Sequence, residues 1–343
     1  MILPLYNLFG DNLVLQVAVN SKAKVVTRGG QPHIEFNDDE LRIVLDTASD
    51  AASRFEAKNQ SPVPMSKNDK TPWEKAIKQF GFTLSDPLSK ILKNFDIKQE
   101  KVEEIDNVPS FIKPEYYEFV RVPGKPGGKR ASFKVDPRYV ILAAAGWILS
   151  RVGYAELGEK GTVGINVFTT TPSWLHKDFG RLPGVAPITA LLFLLASKAI
   201  ATNSSISVVK VFFVSDASGK EPTKILSEFT ADLTRILEKK DLVTRELIDL
   251  AEDALSCSSS PSQARNTQKP VKTKSDTCTF SAKVIDLIYE YIHGARRAED
   301  IAYYTNRYIS VEIRKVKTGD FCKENRIYCE AYRYAQRLLR ETI

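Results

Sequence analysis

The sequence has few of the residue types from which catalytic and metal centres are built. Among 343 residues there are three histidines and four cysteines, and the histidines stand alone, without neighbours at the spacing of metal ligands. No pair of CxxC motifs and no Gly-x-Ser-x-Gly sequence occurs, which excludes a zinc ribbon and a hydrolase nucleophile elbow. Acid pairs such as Asp38 and Asp39 leave an enzyme open, but nothing in the sequence selects them. We therefore expect a protein that is not an enzyme, with no cofactor and no metal.

The sequence also has too few cysteines for a disulfide framework and no apolar run long enough to span a membrane. Four cysteines are too few for a disulfide framework in a chain of this length. Cys322 and Cys329 are seven residues apart on one predicted helix, too far for a bond between them. No apolar run approaches the ~20 residues of a membrane span. The apolar start, Met1–Tyr6, lacks the basic region of a signal peptide. We expect a cytoplasmic protein with no membrane partner.

What the sequence has in excess is positive charge, and that charge is unevenly placed. The net charge is +7. Residues 256–343 contain 16 Lys and Arg against 10 Asp and Glu, whereas residues 1–255 contain 33 against 32. A basic C-terminal part on a nearly neutral body indicates a polyanionic partner, although surplus cations can equally serve solubility alone.

Hydrophobic periodicity predicts an α+β fold. We expect a mixed N-terminal body with strands and buried helices over residues 1–255, and a smaller helical C-terminal module over residues 278–343. The polar, basic stretch 256–277, rich in Ser, Pro and Lys, predicts a flexible linker. The helices predicted at Pro137–Ser150 and Pro187–Ala201 are apolar on every side, so they must be buried on every side.

Local patterns predict further elements. The apolar runs Leu3–Phe9 and Leu13–Val19, separated by a Gly-Asp-Asn sequence, predict a hairpin. The strands Thr162–Thr169 and Ser207–Ser215 flank the second apolar helix and could form a βαβ unit. The segment Pro222–Lys239 predicts an amphipathic helix. Three helices are predicted in the C-terminal module, Phe280–His293, Ala298–Ile309 and Phe321–Glu341.

A basic hairpin tip between the predicted strands Phe119–Val122 and Ala131–Val135 is the first candidate binding site. It holds five cations and no acid within fourteen residues, with Pro-Gly and Gly-Gly turns that let the backbone approach a phosphate closely. Free N–H groups and cations suit a nucleic-acid backbone, whereas the alternative is a solvated turn. Its cations are Arg121, Lys125, Lys129, Arg130 and Lys134.

The last predicted helix carries four arginines, which we call the arginine stripe: Arg326, Arg333, Arg337 and Arg340. Their spacing places them within roughly 60° of one another around the helix axis. Such a row can follow phosphates, each contact adding to a salt-dependent affinity. It can equally pair with acids of a partner subunit, or form a solvated face. The opposite side is predicted to face the core, with Ile327, Ala331, Tyr334, Ala335 and Leu338.

Between these two sites, cations alternate with aromatic residues. This arrangement suits stacking on unpaired bases. Tyrosines at helical spacing are, however, more often packing residues. The cations are Arg296, Arg297, Arg307, Arg314, Lys315 and Lys317, and the aromatic residues are Tyr303, Tyr304 and Tyr308.

Three segments in order carry a resemblance to a known family. They are Val135–Tyr154, then the strand Gly164–Thr169, then Leu182–Ile188 with its apolar helix. With the overall length and the helical C-terminal part, they resemble the archaeal type I-A CRISPR-associated large-subunit family, the Csa-four group of Cas-eight-like proteins. The matching segments are core-like, and no catalytic motif is carried over.

The resemblance implies a non-enzymatic component of an RNA-guided surveillance complex. Such large subunits help to recognise the motif flanking the target in duplex DNA, help to open the duplex, and assist recruitment of the nuclease-helicase. Base pairing with the guide then reads the target itself. The expected partners are target DNA, guide RNA and the other subunits of the interference complex. The placement of recognition on Lys125, Lys129 and Arg130 follows from charge and geometry and not from a family motif.

Two other classes of function stay open. One is a nuclease or other nucleic-acid enzyme of the same defence system. The other is a protein–protein adaptor that uses the arginine stripe to hold acidic partners.

Overall fold

The computed structural model describes most of the chain. The described residues are 1–99, 101–114, 134–157, 161–170, 181–182, 188–203, 206–255, 275–313 and 321–341.

Helices and strands alternate irregularly along the chain, which confirms the predicted α+β class. The strands are β1 Ile2–Pro4, β2 Lys24–Arg28, β3 Gln31–Glu35, β4 Ile105–Asp106, β5 Lys134–Val135, β6 Arg151–Leu157, β7 Gly161–Thr169, β8 Arg181–Leu182, β9 Val208–Ser215 and β10 Lys224–Asp232. The helices are α1 Phe9–Asn20, α2 Asp38–Glu56, α3 Lys70–Lys78, α4 Leu88–Asn94, α5 Pro137–Ser150, α6 Ile188–Ala201, α7 Thr234–Glu238, α8 Arg245–Leu255, α9 Ser275–Ile292, α10 Ala298–Ile313, α11 Phe321–Glu324 and α12 Arg326–Glu341.

In the described part of the chain the strands form three sheets, with orders β1-β3-β2, β4-β5 and β10-β9-β7-β6-β8. In the largest sheet, β7 and β9 pair antiparallel, with Gly164 opposite Val214 and Thr169 opposite Val209. The predicted βαβ unit is therefore wrong, because that unit requires parallel strands. The connection between the two strands is long enough for β9 to enter from either end, so sequence spacing does not decide its direction.

By its internal contacts the chain divides into two compact units. Unit 1 comprises Met1–Gly153, Val163–Phe179 and Val209–Thr230. Unit 2 comprises Tyr154–Thr162, Gly180–Val208 and Ala231–Ile343. The predicted linker at 256–277 lies almost wholly outside the described residues, and the predicted domain boundaries stay predictions.

In unit 1, α5 is the central helix, as its apolar sequence predicts. Asp136 caps it by accepting a hydrogen bond from the backbone N–H of Arg138 at 2.8 Å, and Pro137 occupies the first turn. All its residues except Arg138 are buried. It packs against α1, α2 and α3. A helix without a polar face is stable here because neighbours cover it on every side.

Helix α1 replaces the second strand of the predicted N-terminal hairpin, so that prediction is wrong. In its first turn, the Asp11 carboxylate accepts hydrogen bonds from the backbone N–H groups of Tyr6 at 3.1 Å and Asn7 at 2.7 Å. The side chain that suggested a turn therefore organises a helix start. Contact with α5 buries residues on several sides of α1, and a short apolar run cannot be assigned to helix or strand without such tertiary information.

The predicted helix over Pro222–Lys239 is also wrong for most of its length. Residues Lys224–Asp232 form β10, the edge strand beside β9, and only Thr234–Glu238 is helical. The neighbouring strand β9 offers one side of this backbone a row of hydrogen bonds, and this tertiary pairing outweighs a weak local preference for helix.

An ion pair between a buried arginine and a partly exposed aspartate is a further feature of unit 1. The Arg151 side chain is only 4% exposed, and its two terminal nitrogens donate to the Asp216 carboxylate at 3.0 and 2.7 Å. Its guanidinium carbon lies 4.7 Å from the centre of the Trp147 ring. A Cβ atom on Gly164 would lie 1.7 Å from this guanidinium, so the strand needs glycine there.

In unit 2, helices form the core. Helix α8 packs against α6, α9 and α12, and α10 packs against α12. The helices predicted at Phe280–His293 and Ala298–Ile309 are confirmed within longer elements, α9 and α10. The helix predicted over Phe321–Glu341 is interrupted at Asn325.

The interruption at Asn325 allows a disulfide bond between Cys322 and Cys329, whose Cα atoms are 5.7 Å apart. In a continuous helix, seven residues would separate these atoms by about 10 Å along the axis. Cys278 is also disulfide-bonded. The expectation that Cys322 and Cys329 are too far apart to form a bond is therefore wrong, because it assumed an unbroken last helix.

The close contact between α1 and α5 predicts that Gly146→Ala destabilises the protein. A Cβ atom at Gly146 would lie 2.0 Å from the carbonyl oxygen of Leu13, so the two helices must move apart. We expect unfolding free energy to fall by about 3 kcal/mol or more, measured by denaturant unfolding.

Gly81→Ala is the matched control, because Gly81 has φ +80° and a Cβ atom added there would meet no other atom within 4 Å. Its cost comes from backbone strain alone, about 1–2 kcal/mol. In an open helix interior, Gly→Ala would instead stabilise by about 1 kcal/mol. An unchanged or increased stability of Gly146→Ala would contradict the packing described.

The Cys322–Cys329 bond predicts that the stability of unit 2 depends on the oxidation of these two cysteines. Replacing both cysteines by serine removes a short covalent loop, and we expect a loss of about 2 kcal/mol in unfolding free energy under oxidising conditions. The double variant separates this bond from the one at Cys278. Alkylation of Cys322 and Cys329 in the unreduced native protein, detected by mass spectrometry, would show that the bond is absent.

Candidate nucleic-acid interface

The basic hairpin tip is described only at its base. Arg121, Lys125, Lys129 and Arg130 lie outside the described residues. Lys134 is exposed in β5, where it pairs opposite Asp106 of β4. These two short strands place the end of the predicted hairpin next to the surface of unit 1 around α3.

A groove of about 570 Å³ lies beside β4. Its lining carries both signs of charge, with the cations Lys75, Lys78 and Lys101 and the acids Glu103, Glu104 and Asp106. Two glutamines also line it: Gln79 donates to the carbonyl oxygen of Glu103 at 2.7 Å, and Gln99 donates to that of Gln79 at 2.9 Å. The sequence pattern does not single out these lysines. Lys75 and Lys78 lie on the exposed side of the amphipathic helix α3, but only the fold brings α3 beside β4.

The arginine stripe lies on α12, and all four of its side chains are exposed. The opposite face is buried at Ala331, Tyr334, Ala335 and Leu338. Tyr334 donates its hydroxyl hydrogen to the carbonyl oxygen of Leu242 at 2.8 Å, and burial raises the pKa of this phenol. The predicted two-sided helix is confirmed, and the anchored face holds the arginines outward.

Two of the four arginines are held by acids and carbonyl groups of their own chain. Arg326 forms ion pairs with Asp249 of α8 and with Glu330, one turn along α12. Arg337 donates to Glu341 at 3.0 Å and to the carbonyl oxygen of Asp241 at 2.8 Å. These two side chains thus connect α12 to its surroundings.

The other two arginines, Arg333 and Arg340, have no ion pair among the described residues. The positive charge of the arginine stripe also acts on the carboxylate of Glu246 in α8. Hydrogen bonds, first from Thr244, hold the pKa of this carboxyl below its usual value, and Arg337 and Arg333 add to the effect. The stripe therefore combines internal anchoring with two exposed cations available to a partner.

The basic residues around α10 are similarly divided. Arg296 is paired with Glu290 at 2.6 Å, while Arg297 and Arg307 are exposed. The predicted contacts of Arg314, Lys315 and Lys317 lie outside the described residues.

The three tyrosines of α10 have different environments. Tyr304 and Tyr308 join an aromatic cluster with Phe280, with ring centres 5.9 and 5.1 Å from that ring. Burial, followed by a hydrogen bond with Tyr308, raises the pKa of Tyr304. Tyr303 is 69% exposed. Tyr304 and Tyr308 are thus packing residues, whereas Tyr303 faces solvent.

The described histidines interact locally with the backbone. A ring nitrogen of His33 lies 2.9 Å from the carbonyl oxygen of Gln31, and one of His293 lies 2.8 Å from that of Tyr289. Within the described ranges, no three His, Cys, Asp or Glu side chains gather as a metal site would require. No helix in the same ranges is both long enough and apolar enough to cross a membrane.

The chain matches the model of one protein family. Residues 34–309, about four fifths of the chain, match the model of a family described as CRISPR-associated protein, CsaX. The matched segment includes the basic hairpin tip and most of α10, and it ends before α12. No curated protein matches the chain. The CRISPR association expected from the resemblance is confirmed, and the chain belongs to the CRISPR-associated CsaX family.

Proposed function

We propose that this CRISPR-associated chain is a non-catalytic, nucleic-acid-binding large subunit of an RNA-guided interference complex. In the finer form of the proposal, the complex is an archaeal type I-A assembly, and the subunit contributes to recognition of the motif that flanks the target. Its partners are target DNA, guide RNA and the neighbouring subunits of the complex, in the cytoplasm.

The observation that carries the proposal is the pair of exposed arginines, Arg333 and Arg340, on a helix whose other face is anchored. Arginine binds phosphate with a planar fork of N–H donors and does not lose its charge. Cations that have no ion pair among the described residues add directly to the affinity for a polyanion. Family membership supplies the biological setting in which that polyanion is nucleic acid.

The proposed division of work follows from the chemistry of guided recognition. Pairing between guide and target reads the sequence, so a protein subunit needs phosphate contacts and a short region of base contacts. The basic hairpin tip suits the base contacts, because a narrow loop rich in glycine can enter a DNA groove where a bulkier element cannot.

An adaptor role is the second candidate, and the arginine stripe itself favours it. Arg326 and Arg337 already bind carboxylates, those of Asp249 and Glu341. The same face, through Arg333 and Arg340, would bind acidic residues of a neighbouring subunit equally well.

For the basic hairpin tip, we predict that reversing Lys125, Lys129 and Arg130 to glutamate weakens binding to duplex DNA. The loss of three phosphate contacts should reduce the slope of log affinity against log salt by about 3, measured by fluorescence anisotropy over a salt titration. Circular dichroism and thermal unfolding should match the wild type.

A triple reversal at Lys22, Lys24 and Arg28 is the matched control, since it changes charge equally around the exposed strand β2. Equal binding by the tip variant and the wild type would refute a role for the tip. Metal-dependent cleavage of DNA by the pure chain would replace the proposal with a nuclease.

For the arginine stripe, we predict that Arg333→Gln with Arg340→Gln lowers nucleic-acid affinity without lowering stability. Neither side chain has an internal ion pair in the described part of the chain, so we expect the fold to lose only the weak attraction between Arg333 and Glu246. The salt slope should decrease by about 2 for duplex DNA. If DNA binding is unchanged and a CRISPR subunit no longer co-purifies, the adaptor role is correct.

A further inference from the structure

The break between α11 and α12 lies in a segment whose sequence contains no strong helix breaker. Residues 321–341 include no proline and no glycine. Sharp breaks in a helix usually have a local cause such as one of these residues. Asparagine disfavours a helix interior by only about 0.7 kcal/mol. Asn325 alone is therefore too weak a signal to explain why one helix ends at Glu324 and another begins at Arg326.

Backbone hydrogen bonds of the helical type remain on both sides of the break. The N–H of Asn325 donates to the carbonyl oxygen of Phe321 at 2.9 Å, and the N–H of Cys329 donates to that of Asn325 at 3.3 Å. Both bonds span four residues, as in an α-helix. The backbone thus departs from one continuous helix only over the turn between them. There the first N–H groups of α12 have no acceptor within their own helix.

The Cys322–Cys329 disulfide is the feature that a continuous helix could not accommodate. The two Cα atoms are 5.7 Å apart, and a disulfide requires a separation below about 7 Å. A continuous helix would separate the same atoms by about 10 Å along its axis. Because the bond and the continuous helix exclude each other, the bond itself accounts for the break.

The bond also determines what covers one edge of the arginine stripe. At 3.6 residues per turn, Cys329 lies about 60° from Arg326 and about 40° from Arg333 around the axis of α12. Both arginines are exposed, but Cys329 is only 6% exposed. Helix α11 packs against α12, and it must lie on this side because its Cys322 is bonded to Cys329. We conclude that α11 covers the edge of the stripe at the start of α12.

We propose that Cys322 and Cys329 form a redox-controlled hinge. In the oxidised form, α11 is folded back against the edge of the arginine stripe. In the reduced form, residues 321–341 form one helix, α11 continues α12, and Cys329 becomes accessible at that edge. The inference concerns the conformation of α11 and applies whether the stripe binds nucleic acid or an acidic subunit.

The switch requires a dithiol reductant, which attacks the more accessible sulfur. Cys322 is half-buried, whereas Cys329 is buried. A thiolate of the reductant attacks Sγ of Cys322, and Cys329 leaves as a thiolate. The second thiol of the reductant then displaces Cys322. The two protons of the reductant pass to the two cysteines, so that the protein gains two thiols and the reductant becomes a disulfide.

Hydrogen exchange of the full chain, with and without dithiothreitol, tests the hinge. Reduction should slow exchange of the backbone N–H groups of Arg326 and Ile327 by about tenfold or more, because these groups gain helical acceptors in α11. A bond that only stabilises the fold predicts the opposite, faster exchange on reduction. The N–H groups of Ala298 and Glu299, in the first turn of α10, are the matched reference and should not change.

Cys322→Ser with Cys329→Ser is the matched variant, because it lacks the hinge bond and retains the bond at Cys278. It should show the slow exchange of the reduced wild type with or without dithiothreitol. Alkylation is a second readout. Iodoacetamide added to the reduced wild type should label Cys322 and Cys329 at similar rates.

Three results would overturn the inference. Faster or unchanged exchange at Arg326 and Ile327 on reduction would show that the break does not depend on the bond. Labelling of Cys322 while Cys329 stays protected would show that α11 keeps its position. Free thiols at both positions in the unreduced protein would show that the oxidised form does not exist. None of these results bears on DNA binding, so the proposed function is tested separately by the salt titrations.

Discussion

The absence of a side chain at Gly146 is the constraint on which unit 1 depends. It lets α5 lie against the carbonyl of Leu13 in α1, at a distance that any Cβ atom would prevent. Because α5 is apolar on every side, it is stable only if α1, α2 and α3 cover it closely. Arg151 follows this helix directly; its side chain is buried and pairs with Asp216. Gly164 leaves the space that Arg151 occupies.

Unit 2 is arranged so that burial on one side of a helix determines what the other side can contact. Tyr334 and Leu338 hold α12 in the helical core, and this orientation directs the arginine stripe outward. The same argument applies to α10, where Ile301 and Thr305 are buried and Tyr303 is exposed. Functional surfaces in this unit therefore depend on packing, since a rotation of either helix would bury its cations.

The exposed cations are not equivalent, and this distinction shapes the proposed function. A guanidinium already paired with an acid, as Arg326 is with Asp249, must give up that contact before it can bind phosphate. Arg333, Arg340 and Arg307 have no such competition among the described residues. Surface ion pairs contribute little to stability, so their main effect is to reduce the charge available to a partner. The adaptor alternative follows from the same observation, because a face that binds its own acids can bind those of a neighbour.

The sequence by itself determined the features that depend on local pattern. The buried helix α5, the two-sided helix α12 and the α+β class were predictable, because hydrophobic periodicity acts over a few residues. Only the tertiary structure decided whether Leu13–Val19 is helix or strand, which way β9 runs, and that a break at Asn325 brings Cys322 to Cys329. It likewise decided which arginines are neutralised and which tyrosine is uncovered. These outcomes depend on residues distant in sequence, such as Asp249 for Arg326 and Phe280 for Tyr304, and no local pattern contains that information.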